Sequence, residues 1–274
     1  MIPLLLVLDA LAGSTTLSRL PEADAQLRIC ESAAEDHAAL GEWDRVVGVW
    51  EACATEAERR AMDTLGPALD GRIALARAQR DYATLAVQDP LAYAEVVLIV
   101  VAQHPQAEFP PEPVADAWRR LLADTQTRQN LTDVRTVALR WRPDVDPALR
   151  AALDGQARRF IGDLGFKVPP SGTALEQEAA ITLTASAQQI SLDPLVKDAR
   201  GTIHVERVEL LTQPVRFRVR GATAPPLEVA GQVDDPVQAD ARQAATEAAA
   251  SQLADALLRA VIAELYRDRP LPEP

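Results

Sequence analysis

Residues 25–57 read AQLRICESAAEDHAALGEWDRVVGVWEACATEA, and their apolar members recur at intervals of three and four. Leu27, Cys30, Ala34 and Ala38 make one stripe; after Leu40-Gly41-Glu42, a second runs through Val46, Val49, Trp50 and Cys53. Each stripe is the inward face of an amphipathic helix. Two helices joined by so short a turn lie antiparallel, so the stretch predicts a helical hairpin.

The two cysteines of the chain fall on this hairpin. Cys30 precedes the bend at Gly41 by about as many residues as Cys53 follows it, so both sit at one height on their seams. That placement predicts a Cys30–Cys53 bridge closing a loop of about 24 residues, worth about 3 kcal/mol by chain entropy. Such bonds persist in oxidising compartments, which points to export. Two buried free thiols behaving as small hydrophobes would suit the same positions.

The hairpin resembles a tetratricopeptide repeat, a helix-turn-helix unit of 34 residues. Ala34, Gly41, Trp43, Val46 and Trp50 stand where that family places its small residue, its turn glycine, the aromatic after the turn and its second-helix packing positions. The run from Ile73 to Leu85, with Arg80-Asp81-Tyr82 at its turn, departs from the spacing and lacks the glycine. The resemblance implies a protein-binding scaffold built from helical hairpins.

Outward from the hairpin, the first half continues as helix. Further helices are expected over Leu91–Gln103, Val114–Gln129 and Asp133–Trp141, with Asp89-Pro90 as a cap followed by proline in the first turn. Asn130-Leu131-Thr132 has the form of a glycosylation acceptor and reads here as cap chemistry. Pro143 and Pro147 bracket Asp144 and Asp146 and mark a boundary.

Beyond it the period changes. A helix opens at Asp146-Pro147, with Leu149, Leu153, Ala157, Phe160, Ile161 and Leu164 inward, and ends at Gly165 before a short strand, Phe166–Val168. Alternation then appears in Ile181, Leu183 and Ala185; in Ile203, Val205 and Arg207; in Val215, Phe217 and Val219; and in Leu227, Val229 and Val233. A long helix, 236–267, has Asp235 as its cap and a stripe through Ala245, Ala249, Leu253, Leu257, Val261 and Leu265. The expected fold class is therefore α+β: an all-α helical-hairpin domain, then a small antiparallel sheet packed with two helices. The expected divisions are a leader (1–20), the helical domain (21–142), a linker (143–147), the α/β domain (148–267) and a proline-rich disordered tail (268–274). The layout of 148–267 resembles the small α/β domains of bacterial envelope lipoproteins and flagellar assembly proteins, which implies periplasmic partner binding without catalysis.

Composition narrows the function. The chain has 274 residues, 48% of them hydrophobic, which is ample material for real cores. Its net charge is −12, and a surface of that sign repels nucleic acid and anionic lipid. All basic residues but Lys167 and Lys197 are arginine, a habit of GC-rich bacterial coding sequences. Met1–Ala12 reads MIPLLLVLDALA before Gly-Ser, the apolar core and cleavage pattern of a secretory signal, although no Lys or Arg precedes it and Asp9 interrupts it. Leu11-Ala12-Gly13-Ser14 looks like a lipoprotein box with serine in place of the lipid-bearing cysteine, so lipidation is not expected. A buried first strand or helix is the other reading of this segment. No later segment is long enough to span a membrane.

Chemistry-bearing motifs are few. HExxH, CxxC, GxSxG, phosphate-loop and dinucleotide patterns are absent from the sequence. Two cysteines and the histidines His37, His104 and His204 are too few for an ordinary zinc site, so neither metal nor cofactor is expected. The pairs Glu35-Asp36 and Asp234-Asp235 read as solvated and capping carboxylates. Arg216, Arg218 and Arg220 alternate onto one strand face, with Lys197, Arg200 and Arg207 near in sequence. They are the candidate surface for an anionic partner, or a solvated outer face whose charge discourages edge pairing. The expected function is a non-enzymatic periplasmic protein-binding scaffold. The alternatives are a cytoplasmic scaffold with reduced cysteines, and a hydrolase or transferase whose site assembles from scattered Asp, Glu, Arg and Ser.

Overall fold

The computed structural model describes residues 21–131, 135–145, 147–177, 179, 181–187, 191–193, 198–200, 203–210 and 237–273. The hairpin is present as α1 (Pro21–Ala39) and α2 (Trp43–Arg59). Gly41 takes φ +71°. The Glu42 amide reaches the His37 carbonyl at 3.0 Å and the Gly41 amide reaches that of Ala38 at 3.0 Å, the paired bonds of a Schellman end. Leu27, Cys30 and Ala34 are buried against Val46, Val47 and Trp50. The Sγ atoms of Cys30 and Cys53 lie at disulfide distance, 2.11 Å apart, with the Cα atoms 6.3 Å apart.

A 3-10 turn (Asp63–Leu65) leads into α3 (Gly66–Asp81), followed by α4 (Ala83–Gln88), α5 (Pro90–Gln103), α6 (Pro111–Ala123) and α7 (Thr125–Asn130). Asp89 caps α5 as its sequence foretold, accepting from the amides of Leu91 and Ala92 at 3.2 and 3.0 Å. The helix expected over Val114–Gln129 is broken at Asp124, an extended residue whose carboxylate accepts from the Thr127 amide and so starts a new helix. That bond holds the Asp124 carboxyl below its ordinary pKa.

The segment expected as a helix at Asp133–Trp141 is instead a strand, β1 (Val137–Trp141). It is followed by α8 (Pro147–Asp163), the short α9 (Ala174–Gln177), β2 (Ile181–Ala187), β3 (Ser191–Asp193), β4 (Asp198–Arg200), β5 (Ile203–Leu210) and α10 (Val237–Tyr266). The α+β class stands, but the sheet is not purely antiparallel. Its order is β1-β2-β5, with β1 parallel to β2 and β2 antiparallel to β5. The cause lies in the connection: α8 carries the chain back to the same end of the sheet before β2 begins, and a parallel pair needs such a crossover. β3 and β4 pair antiparallel in a separate ribbon. The expected strand Phe166–Val168 reduces to a single bridge between Thr136 and Lys167.

In β5, a single face of Ile203, Val205 and Arg207 was expected. The register places Val208 and Leu210 opposite the buried Leu183 and Ile181, then shifts between Thr184 and Ala185, so that Val205 and Ile203 face Ala185 and Ala187. A bulge at Glu206 absorbs the change of phase. The expected strands through Val215–Val219 and Leu227–Val233 lie outside the described residues.

Among the described residues two buried clusters result. The smaller joins α1, α2 and the inner residues Leu69 and Ala76 of α3. The larger gathers α5, α6, β1, α8, β2 and α10, and takes residues from both sides of 143–147. Trp118 of α6 is fully buried in it, donates to the Leu164 carbonyl at 2.9 Å and stacks on Phe166. The proline-rich end, expected to be disordered, lies along the helices: Tyr82 Oη donates to the Pro272 carbonyl at 2.6 Å, Gln103 to that of Arg269 at 3.1 Å, and Arg269 pairs with Glu95. The leader, 1–20, lies outside the described residues. Among the described residues no helix is long and apolar enough to cross a membrane.

Candidate functional site

Among the described residues a cavity of about 560 Å³ forms a cleft between the two clusters. Its first wall is the hairpin: Ala34 and Ala38 of α1, and Trp43, Val46 and Trp50 of α2. Its floor is α3, through Leu75, Ala76 and Gln79. Tyr93, Ala94 and Val97 of α5 and Ala117 of α6 form the opposite wall. The sequence makes these surfaces by placing alanine where a larger residue would close the gap between helices. The volume falls in the usual range of small-ligand pockets and matches a few side chains of a partner.

The polar groups inside the cleft are paired. Arg72, whose side chain is only 14% exposed, makes an ion pair with Glu31 and donates to the Ala68 carbonyl at 3.2 Å. Its guanidinium also lies over the Trp50 ring, 5.5 Å from the centroid. Tyr93 Oη donates to Gln79 Oε1. Burial pushes the Tyr93 phenol up to about 12, so it stays protonated near neutral pH. With its interior charges compensated and its walls apolar, the cleft is suited to taking up nonpolar groups rather than to proton transfer at neutral pH.

Glu35 on α1 and Arg120 on α6 stand at the rim, exposed and, among the described residues, without a hydrogen-bond or ion-pair partner. Leu40, at the hairpin bend, is 74% exposed, and Val87 of α4, beside the lining residue Ala86, is 82% exposed. These are single exposed apolar side chains and do not line the cleft, so docking there rests on the cleft walls alone.

Apart from Glu35 at the rim and the hairpin residues Ala34, Ala38, Trp43, Val46 and Trp50 in the wall, the residues singled out in the sequence fall elsewhere. Cys30 is buried within the hairpin and Cys53 half-buried beside it. Arg216, Arg218 and Arg220 lie outside the described residues, as do Lys197 and the pair Asp234-Asp235. Arg200 ends β4, and Arg207 stands opposite Thr184 in β5. His37 Nδ1 lies 2.8 Å from Glu42 Oε2, and this bond holds the Glu42 carboxyl below its ordinary pKa, aided by Arg45. His104 Nδ1 donates to the Val100 carbonyl at 2.9 Å, and His204 stands opposite Ser186. Among the described residues no three His, Cys, Asp or Glu side chains are grouped to hold a metal.

Sequence reasoning missed the cleft itself. Trp43 and Trp50 read as packing residues of the hairpin, and Tyr93, Arg72 and Arg120 gave no signal. The available clue was the run of alanines opposite two tryptophans, a mismatch of volume across one seam.

Fold and site together define an α+β protein with an aromatic-lined cleft between two buried cores. Comparison of the chain with known protein families, curated proteins and solved structures gives no match.

Proposed function

We propose that this chain is a non-enzymatic protein-binding scaffold of the bacterial cell envelope, and that it takes an apolar segment of a partner protein into the cleft between α1–α2 and α5–α6. One observation carries the reading: the cleft is lined by apolar side chains from two separate cores, flanked by Trp43 and Tyr93, with its inner charges already compensated. A partner segment seated there buries surface that neither core covers alone. The cysteine pair at disulfide distance and the apolar run Met1–Ala12 support this choice of compartment.

The test begins with a displayed peptide library selected on the purified, oxidised chain. Synthesised binders are then titrated against the native protein and against Ala38→Trp, which fills the cleft from the α1 wall. The expected result is weakening by about tenfold or more, the equivalent of 1.4 kcal/mol. Binding indifferent to the filled cleft would place the function elsewhere. Fractionation of the native host with N-terminal sequencing tests the compartment, and a full-length cytoplasmic chain with two alkylatable thiols would defeat that part.

A further inference from the structure

We infer that the segment seated in the cleft is dipolar, presenting a cationic side chain toward α1 and a carboxylate toward α6. This rests on the cleft reading and adds the partner's chemistry to it. Across the cleft the two rims carry opposite charges: Glu35 on the α1 wall and Arg120 on the α6 wall. Both are exposed, and neither has a partner among the described residues. The other rim and floor charges are spent within the chain, Glu31 on Arg72 and Asp116 on Arg119. A partner segment lying between the walls therefore meets one uncompensated negative group on one side and one uncompensated positive group on the other. An apolar segment with like charges at both flanks matches one rim and opposes the other. A segment with opposite charges matches both.

The probes are synthetic peptides sharing one leucine-rich helical face and differing only in their flanking residues: Lys and Glu, Lys and Lys, or Glu and Glu. Each is titrated by fluorescence against the native protein, Glu35→Lys and Arg120→Glu. Both substitutions are at exposed positions, and circular dichroism checks that the fold is retained.

The native chain is expected to bind the Lys/Glu peptide tightest, by about two- to fivefold per matched charge, with the preference shrinking as salt is added. In Glu35→Lys both rims are positive, so the preference moves toward the Glu/Glu peptide. In Arg120→Glu it moves toward Lys/Lys. The same ranking of peptides in all three proteins overturns the inference. If that ranking is unchanged while Ala38→Trp still weakens every peptide, the cleft reading survives and only the dipolar partner falls. If no peptide of the set binds any of the proteins, both fall together.

Discussion

At the scale of single residues, glycine separates two physical roles here. Gly71 lies in the middle of α3, where alanine ordinarily improves a helix by about 0.5–1 kcal/mol. A Cβ at this position, however, would stand 2.3 Å from the Glu108 carbonyl oxygen and 2.7 Å from its carbon, both backbone atoms. The contact is tight because the Glu108 amide donates to the Pro67 carbonyl at 2.7 Å, which draws the loop onto the start of α3. Gly71→Ala is therefore expected to destabilise the chain by roughly 1–3 kcal/mol through forced separation of α3 from that loop. Gly155, within α8, has nothing within 4 Å of an added Cβ. Gly155→Ala should raise stability by roughly 0.5–1 kcal/mol. Urea denaturation of the two variants measures both, and shifts of the same sign would contradict the assignment.

At the scale of elements, three helices end in the same way, and one of them does so at a disadvantage. Helices α1 and α8 close with glycine in the left-handed region, Gly41 at φ +71° and Gly165 at φ +84°. Helix α2 closes with the same pair of bonds, Met62 to Ala57 at 2.8 Å and Ala61 to Glu58 at 3.0 Å, but puts Ala61 at φ +53°. A left-handed alanine costs about 1 kcal/mol that glycine avoids, less the extra freedom glycine has when unfolded. Ala61→Gly is thus expected to stabilise by up to roughly 0.5 kcal/mol, seen as a higher denaturant midpoint; a lower one refutes it. Endings of this kind are legible because they depend on neighbours in sequence, and Gly41 and Gly165 were both readable as stops. β1 was not legible. Val137, Ala138, Leu139 and Trp141 are buried and only Arg140 is exposed, so the strand has no alternation to separate it from a short buried helix. Missing β1 also hid the parallel pairing, since no sequence pattern distinguishes β2 beside a parallel neighbour from β2 beside an antiparallel one. In β5 the alternation was visible, but its phase is reset at Glu206 by contacts with β2.

For the whole molecule, the decisive feature is that α3 serves both cores. It gives Leu69 and Ala76 to the smaller and Ala78 to the larger, and the cleft opens between them. The cleft was illegible in the sequence because its walls come from α1–α2 and α5–α6, which only the path of α3 brings opposite each other. The smaller core holds the Cys30–Cys53 pair within it, and closing that loop contributes about 3 kcal/mol on the chain-entropy account. The larger core has Trp118, Leu257 and Ile161 fully buried and no such cross-link. Reduction should then act on one core alone. Its local opening equilibrium rises by about two powers of ten, since each 1.4 kcal/mol is a factor of ten. Hydrogen exchange of the chain with and without a reducing agent is expected to show the amides of α1 and α2 exchanging about a hundredfold faster when reduced, with those of α5, α6 and α10 unchanged. Equal acceleration throughout would mean that the two cores unfold as one, and no acceleration would mean that packing alone holds the hairpin. In the expected case the α1 wall of the cleft depends on the bridge, so reduction is expected to weaken the binding proposed for the cleft.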